Sequence, residues 1–217
     1  MIENAFSGIV LTAQSFNPSI FTETWLDKND IISADSIEGT RVFSQVVAQF
    51  QAKEVRVLVT PPSMQISFGI HKVEGEFEVP CRIPIRTIEL LPETPYQALG
   101  LNFDFYVEPP KGQDLCTYSR ALFGAGDYKL LQEFSAMDSR FGRYFSKNYG
   151  DARMKLDIKP VIAGPDKKDL IQFSFNFHHD VSNIDLPERA RKLIDYIGTW
   201  GSLRKYSEGL VSLGTKP

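Results

Sequence analysis

Residues 99–107 alternate strictly between apolar and other side chains, and this run constrains the fold more than any other part of the sequence. Successive side chains of a β-strand point to opposite faces, so a sustained period of two predicts a long strand with one buried face. The residues assigned to that buried face are Leu99, Leu101, Phe103, Phe105 and Val107.

Several other segments are predicted strands, most of them with the same alternation, and some are joined by short turns. They cover residues 6–11, 46–50, 55–59, 64–70, 154–158 and 171–177. Short connections favour antiparallel hairpins. The chain contains 16 phenylalanines, a residue type whose flat ring suits a half-buried strand face. We therefore predict that one antiparallel sheet buries Phe103, Phe105, Met154, Leu156, Phe173 and Phe175.

Helical patterns lie between the predicted strands. Asn17-Pro18 is typical of a helix start, and the following apolar stripe ends near Asn29. Residues 113–148 have helical spacing, interrupted at Gly124-Ala125-Gly126. Asp185, with Glu188 three residues later, resembles a capping box before a C-terminal helix. Strand hairpins with helices on one face predict an α+β fold, and the order of elements suggests two similar halves.

The length of 217 residues fits one domain or two small ones. We divide the chain into an N-terminal α+β half (residues 1–80), a proline-rich ordered connection (81–97) and a C-terminal α+β half (98–217). One continuous domain is the alternative. Residues 80–97 carry four prolines but are too apolar for an unpacked linker, so they should pack on the rest of the protein.

Common catalytic and nucleotide-binding motifs are missing from the sequence. It has no phosphate-binding glycine loop, no G-x-S-x-G and no H-E-x-x-H, which argues against several large enzyme classes. Cys81 and Cys116 are too few for a disulfide scaffold. No apolar run is long enough to cross a bilayer, and no secretory signal precedes the first strand. We expect a cytoplasmic protein without a cofactor, a bound metal or a membrane partner, and we favour a non-enzymatic role.

The histidines suggest one candidate acid–base or binding site. The chain has His71, His178 and His179, and Asp180 follows the last two. If the strand alternation continues, His179 lies on the phenylalanine face and His178 on the opposite face, so the two cannot share one metal without a bulge. An acid–base or binding site would need His179, Asp180 and His71 to be brought together by folding. The simpler interpretation is that His179 ends the core face.

Charge is distributed unevenly along the chain, although the net charge is only −3. Residues 1–108 carry 7 cations and 14 acids, whereas residues 109–217 carry 17 cations and 13 acids. Six cations lie close in sequence and form a predicted basic patch: Arg140, Arg143, Lys147, Arg153, Lys155 and Lys159. The first three follow helical spacing and the last three follow strand spacing. We predict that they share one exposed surface, and the favoured interpretation of this surface is an ordinary solvated face, with a binding role as the alternative.

Three functional hypotheses follow from these features. The first is a non-enzymatic interaction or assembly subunit of a cytoplasmic complex, with a protein partner or a second copy of the chain. The second is a component that contacts nucleic acid through the basic patch between Arg140 and Lys159. The third is a ligand-binding protein or hydrolytic enzyme with a site around His179 and Asp180.

Overall fold

The structure is a computed structural model that describes residues 2–53, 55–69, 78–126, 129–164 and 166–215. The described strands are β1 (Ile2–Ala13), β2 (Ile37–Phe43), β3 (Ala48–Ala52), β4 (Val55–Thr60), β5 (Ser63–Phe68), β6 (Tyr96–Val107), β7 (Arg143–Tyr149), β8 (Ala152–Ala163) and β9 (Lys168–Asp180). The described helices are α1 (Glu23–Lys28), α2 (Glu78–Leu90), α3 (Leu115–Phe123), α4 (Leu130–Glu133), α5 (Leu186–Ile197) and α6 (Trp200–Gly214).

The described strands form one antiparallel sheet in the order β2-β3-β4-β5-β1-β6-β9-β8-β7. In each half of the chain, the first strand pairs with the last strand of the meander that follows it: β1 with β5, and β6 with β9. The two first strands then pair with each other at the centre of the sheet. The fold is α+β, as the sequence predicts, and the two halves have related topologies.

Phenylalanine side chains dominate the face of the sheet that the helices cover. Phe103 is paired with Phe175, and Phe175 with Leu156. The six side chains predicted to share one sheet are between 0% and 7% exposed, which confirms that prediction. Trp200 of α6 contacts the rings of Phe68 and Phe103 and so joins the two halves of the sheet to one core.

The helical pattern predicted for residues 113–148 is wrong in its second part. Helix α4 is a single short turn, and residues from Arg143 onward form strand β7. Gly150 has a positive φ of 56° in the turn that joins β7 to β8, and Phe145 pairs with Leu156 across that hairpin. The spacing of Phe141, Tyr144 and Phe145 resembles a helix, but strand pairing with β8 overrides it.

The proline-rich connection contains helix α2, which the sequence does not predict. Pro80 lies in the first turn, where a missing N–H is harmless, and Pro84 lies within the helix. Ile83 and Ile88 are buried, and this burial offsets the hydrogen bond that Pro84 cannot donate. The connection is thus packed on the sheet, but as a helix.

The capping box predicted at Asp185 and Glu188 does not form. Asp185 occupies the N-cap of α5, yet its side chain makes no capping hydrogen bond. The backbone amides of Glu188 and Arg189 instead donate to the Asp185 carbonyl. Pro187 stands in the first turn of the helix, which supports the start of α5 without a side-chain cap.

Candidate functional site

His179 lines a cavity of about 470 Å³ between the β7–β8 turn and helices α5 and α6. The side chain is only 6% exposed, and its ring stacks on Tyr196 with 4.7 Å between ring centroids. His179 Nδ1 lies 3.2 Å from the carbonyl oxygen of Asp151. Because a carbonyl can only accept, Nδ1 carries the proton in this contact. His179 therefore ends the buried face of β9, as the simpler interpretation predicted.

Asp180, the other described candidate for a histidine site, does not line this cavity. Asp180 has the opposite strand orientation and accepts hydrogen bonds from the amide and hydroxyl of Ser182. These bonds lower the pKa of the Asp180 carboxyl. His71 lies outside the described residues.

Tyr196 adds a buried phenol to the wall of this cavity. Burial raises the pKa of Tyr196, and its hydroxyl has no hydrogen-bond partner among the described residues. No group of three His, Cys, Asp or Glu side chains in the described part of the chain could hold a metal ion. Among the described residues, no hydroxyl or thiol group forms a hydrogen bond with His179.

The six cations of the predicted basic patch are all exposed, but they do not share one face. Arg143 and Lys147 pair with Ile158 and Met154, so they point to the face that the helices cover. Arg153 and Lys155 pair with His178 and Asn176, so they point to the open face of the sheet, as does Lys159. Arg140 precedes β7. The helical spacing that placed the first three together does not exist, because this segment is a strand.

Most of these cations lack a carboxylate partner. Within the described residues, Lys159 pairs with Asp157 at 3.1 Å, but the other five make no ion pair. Arg143 donates to the carbonyl of Ala125, and Lys147 donates to the hydroxyl of Tyr206 at 2.8 Å. Both acceptors are neutral. The β7–β8 hairpin consequently carries positive charge that the rest of the described chain does not neutralise.

Strand β7 forms one edge of the described sheet, and every one of its residues is exposed or half-buried. It pairs with β8 over all seven residues without a register shift. Tyr144 and Phe145 are 61% and 45% exposed on opposite faces of this edge. Sequence analysis missed this surface, because Arg143, Phe145 and Lys147, which lie on one face of the strand, do not show the alternation of apolar and polar residues that marks a half-buried strand.

Strand β2, at the other edge of the described sheet, is less regular. Its pairing with β3 shifts register between Glu38 and Val42, and Gly39 has a positive φ of 65°. Its one arginine, Arg41, is neutralised by Glu23 at 2.7 Å. Irregular edge strands discourage further strand pairing, whereas a long flat edge invites it. The two edges of the sheet therefore differ in their readiness to accept another strand.

The cysteines provide a direct test of local burial. Both are free thiols, and burial raises the pKa of the Cys81 thiol to about 11. Because the thiolate is the reactive form, we expect iodoacetamide to alkylate Cys81 very slowly at pH 8 in the native protein and rapidly after unfolding. Mass spectrometry of tryptic peptides measures both rates. Equal rates in the two states would show that α2 does not shield the thiol.

Comparison with models of known protein families gave no match to this chain, and comparison with curated protein sequences gave none either. None of the described helices combines the length and apolar character needed to cross a membrane. The proposed function below therefore rests on the geometry of the described surface.

Proposed function

We propose that this chain is a non-enzymatic docking subunit that binds an acidic, extended segment of a partner protein along the outer edge of β7. The observation that carries this proposal is the combination of a regular edge strand with cations that have no acidic partner among the described residues. Added strands gain affinity from main-chain hydrogen bonds and specificity from alternate side chains.

The distribution of the cations supports a strand as the occupant. A β-strand presents its side chains alternately on its two faces. Acidic side chains on one face of an added strand would lie beside Arg143 and Lys147, and those on the other face would lie on the side of Arg153 and Lys155. Tyr144 and Phe145 add apolar area on both faces, so the edge offers more than electrostatic attraction.

The same distribution of cations argues against nucleic acid and against a second copy of this chain as the partner. A single phosphate backbone follows one surface, whereas these cations occupy two faces of the sheet. Pairing of two β7 strands from two copies would bring Arg143 and Lys147 of both copies together, and like charges on neighbouring strands destabilise pairing. An acidic segment of a different protein can meet cations on both faces of the sheet, and it brings no like charge beside Arg143 and Lys147.

The test uses a fluorescein-labelled peptide of about eight residues, a usual strand length, in which glutamate and valine alternate. We expect fluorescence anisotropy to show binding to the full chain that weakens as salt is added. The double variant R143E/K147E should weaken binding by at least about tenfold. The matched control is K28E/K111E, which makes the same charge change at exposed sites outside the β7–β8 hairpin and should retain binding.

A second peptide separates strand addition from simple charge attraction. It has the same sequence but is N-methylated at every peptide bond, so it cannot donate the main-chain hydrogen bonds of a ladder. We expect it not to bind. Equal binding of both peptides would overturn the proposal, as would tighter binding of a thymidine 16-mer than of the acidic peptide at the same salt concentration.

A further inference from the structure

A continuous row of polar or glycine residues crosses the open face of the described sheet from one edge to the other. Cross-strand pairing defines this row, because each member is the direct neighbour of the next. From β2 to β7, it consists of Glu38, Gln51, Arg56, Ser67, Gly8, Asn102, Asn176, Lys155 and Ser146.

A groove follows this row and the one beside it. Its larger part has a volume of about 660 Å³ and extends from Glu38 on β2 to Asn102 on β6. A smaller part of about 160 Å³ continues to Asn176 and His178 on β9, and the two parts share Val10 and Asn102. At about 4.8 Å per strand, the groove is roughly 29 Å long. It therefore suits an elongated ligand that lies across the strands.

Two glycines form the floor of the groove at the centre of the sheet. Gly8 on β1 and Gly100 on β6 are diagonal neighbours within regular strands, where glycine is unfavourable and often marks a close approach. A Cβ atom on Gly8 would lie 3.3 Å from the Ile66 carbonyl oxygen, and one on Gly100 would lie 3.3 Å from Asn176 Nδ2. A Cβ atom on Gly8 would also lie 3.3 Å from the Phe6 ring, so the two glycines leave room for the Phe6 ring and the Asn176 amide to lie close against the backbone of the groove floor.

The lining of the groove is mostly uncharged and can both donate and accept hydrogen bonds. The Gln49 amide and the Ser67 hydroxyl have no hydrogen-bond partner among the described residues. Asn176 Nδ2 donates to Asn102 Oδ1 at 2.8 Å, and this bond fixes the direction of both amides. Such amides leave additional donor and acceptor positions for a ligand.

Charge in the larger part of the groove is balanced. One carboxylate, Glu38, and one guanidinium, Arg56, are the only Asp, Glu, Lys or Arg side chains among the described residues that line it. Phe6 contributes an apolar ring that is 41% exposed beside Gly8. A polyanion finds little attraction here, whereas hydroxyl groups match side-chain amides and the C–H face of a sugar ring matches an exposed aromatic ring.

We infer that the open face of the sheet binds a linear, neutral oligosaccharide along this groove. The ligand crosses the central strands over Gly8 and Gly100, its hydroxyls bond to the asparagine and glutamine side chains, and one sugar ring lies against Phe6. This surface is separate from the outer edge of β7, so the inference does not depend on the proposed docking function.

The test is a titration of the ¹⁵N-labelled full chain with cellohexaose, maltohexaose, xylohexaose and chitohexaose. Side-chain amide signals in two-dimensional NMR spectra report directly on the groove. We expect at least one of these sugars, at concentrations up to about 10 mM, to give saturable shifts of the signals from Gln65, Asn102 and Asn176.

Two variants and a matched control locate the binding. Ser67→Arg fills the middle of the groove, and Gln65→Ala removes an exposed amide from its wall, so each should weaken binding by about tenfold or more. Gln172→Ala removes the same type of side chain from the same face of the sheet, outside the groove, and should leave affinity unchanged.

The inference is overturned if none of the four sugars shifts these signals, or if both Ser67→Arg and Gln65→Ala bind as tightly as the unmodified chain. It is also overturned if the acidic peptide or the thymidine 16-mer shifts the groove amides and the sugars do not. A loss of acidic-peptide binding in R143E/K147E bears only on the β7 edge, so the two proposals fail separately.

Discussion

Replacing Phe175 with alanine should lower the free energy of unfolding by about 3–5 kcal/mol, the range for a large aromatic side chain removed from a closed core. Phe175 is 2% exposed on β9, between β6 and β8. Its ring makes an edge contact with Phe105, with 5.9 Å between centroids, and stacks parallel to Phe177 at 6.5 Å. Removing it leaves a cavity that rigid strands cannot fill.

Phe145 provides the matched control for this change. It lies two strands away from Phe175, with Leu156 between them, but it is 45% exposed at the β7 edge. Phe145→Ala should therefore change the free energy of unfolding by far less than Phe175→Ala. Urea denaturation followed by circular dichroism gives both values. Similar losses for the two variants would contradict the burial that the sheet register assigns to Phe175.

Gly142→Ala should destabilise the protein by about 1–3 kcal/mol through the attachment of β7. A Cβ atom at this position would lie 2.2 Å from the carbonyl oxygen of Ile158, so the backbones of β7 and β8 must separate to admit it. The clash is with backbone rather than with a mobile side chain. Because it lies at the start of β7, the change should also weaken binding of the acidic peptide.

Gly209→Ala makes the same chemical change where space is available. Gly209 is exposed within α6, and an added Cβ atom meets nothing within 4 Å. Alanine has the higher helix propensity, so this variant should be more stable by about 0.5–1 kcal/mol. Relative to the unmodified chain, the melting temperature of Gly142→Ala should fall and that of Gly209→Ala should rise. A melting temperature for Gly142→Ala at or above that of the unmodified chain would contradict the close approach of β7 to β8.

The proposals for the β7 edge and the open face use different physical features. The edge offers unpaired backbone and cations without acidic partners among the described residues, whereas the groove offers neutral side chains and a glycine floor. Salt should weaken binding at the edge but change binding in the groove little, because exposed charges are screened and neutral hydrogen bonds are much less affected. One salt series with each ligand therefore distinguishes the two surfaces.

Sequence alone determined the central strands and the face that each of them buries. Residues such as Phe103 and Phe175 alternate with polar neighbours, and a period of two leaves one assignment of faces for a strand with one buried side. The same rule placed His179 at the end of the core face, where the structure also has it. Local spacing contains this information because burial of alternate side chains is a property of each strand.

Tertiary structure decided the elements whose local pattern was ambiguous or misleading. β7 buries almost none of its surface, so hydrophobic alternation is weak there, and pairing with β8 turns Arg143 and Lys147 away from Arg153 and Lys155. α2 persists despite Pro84 because its apolar side chains are buried against the sheet. The groove joins Gly8, Ser67 and Asn102, which are far apart in the chain. Only the register between strands makes them neighbours, and that register is set by the packed sheet as a whole.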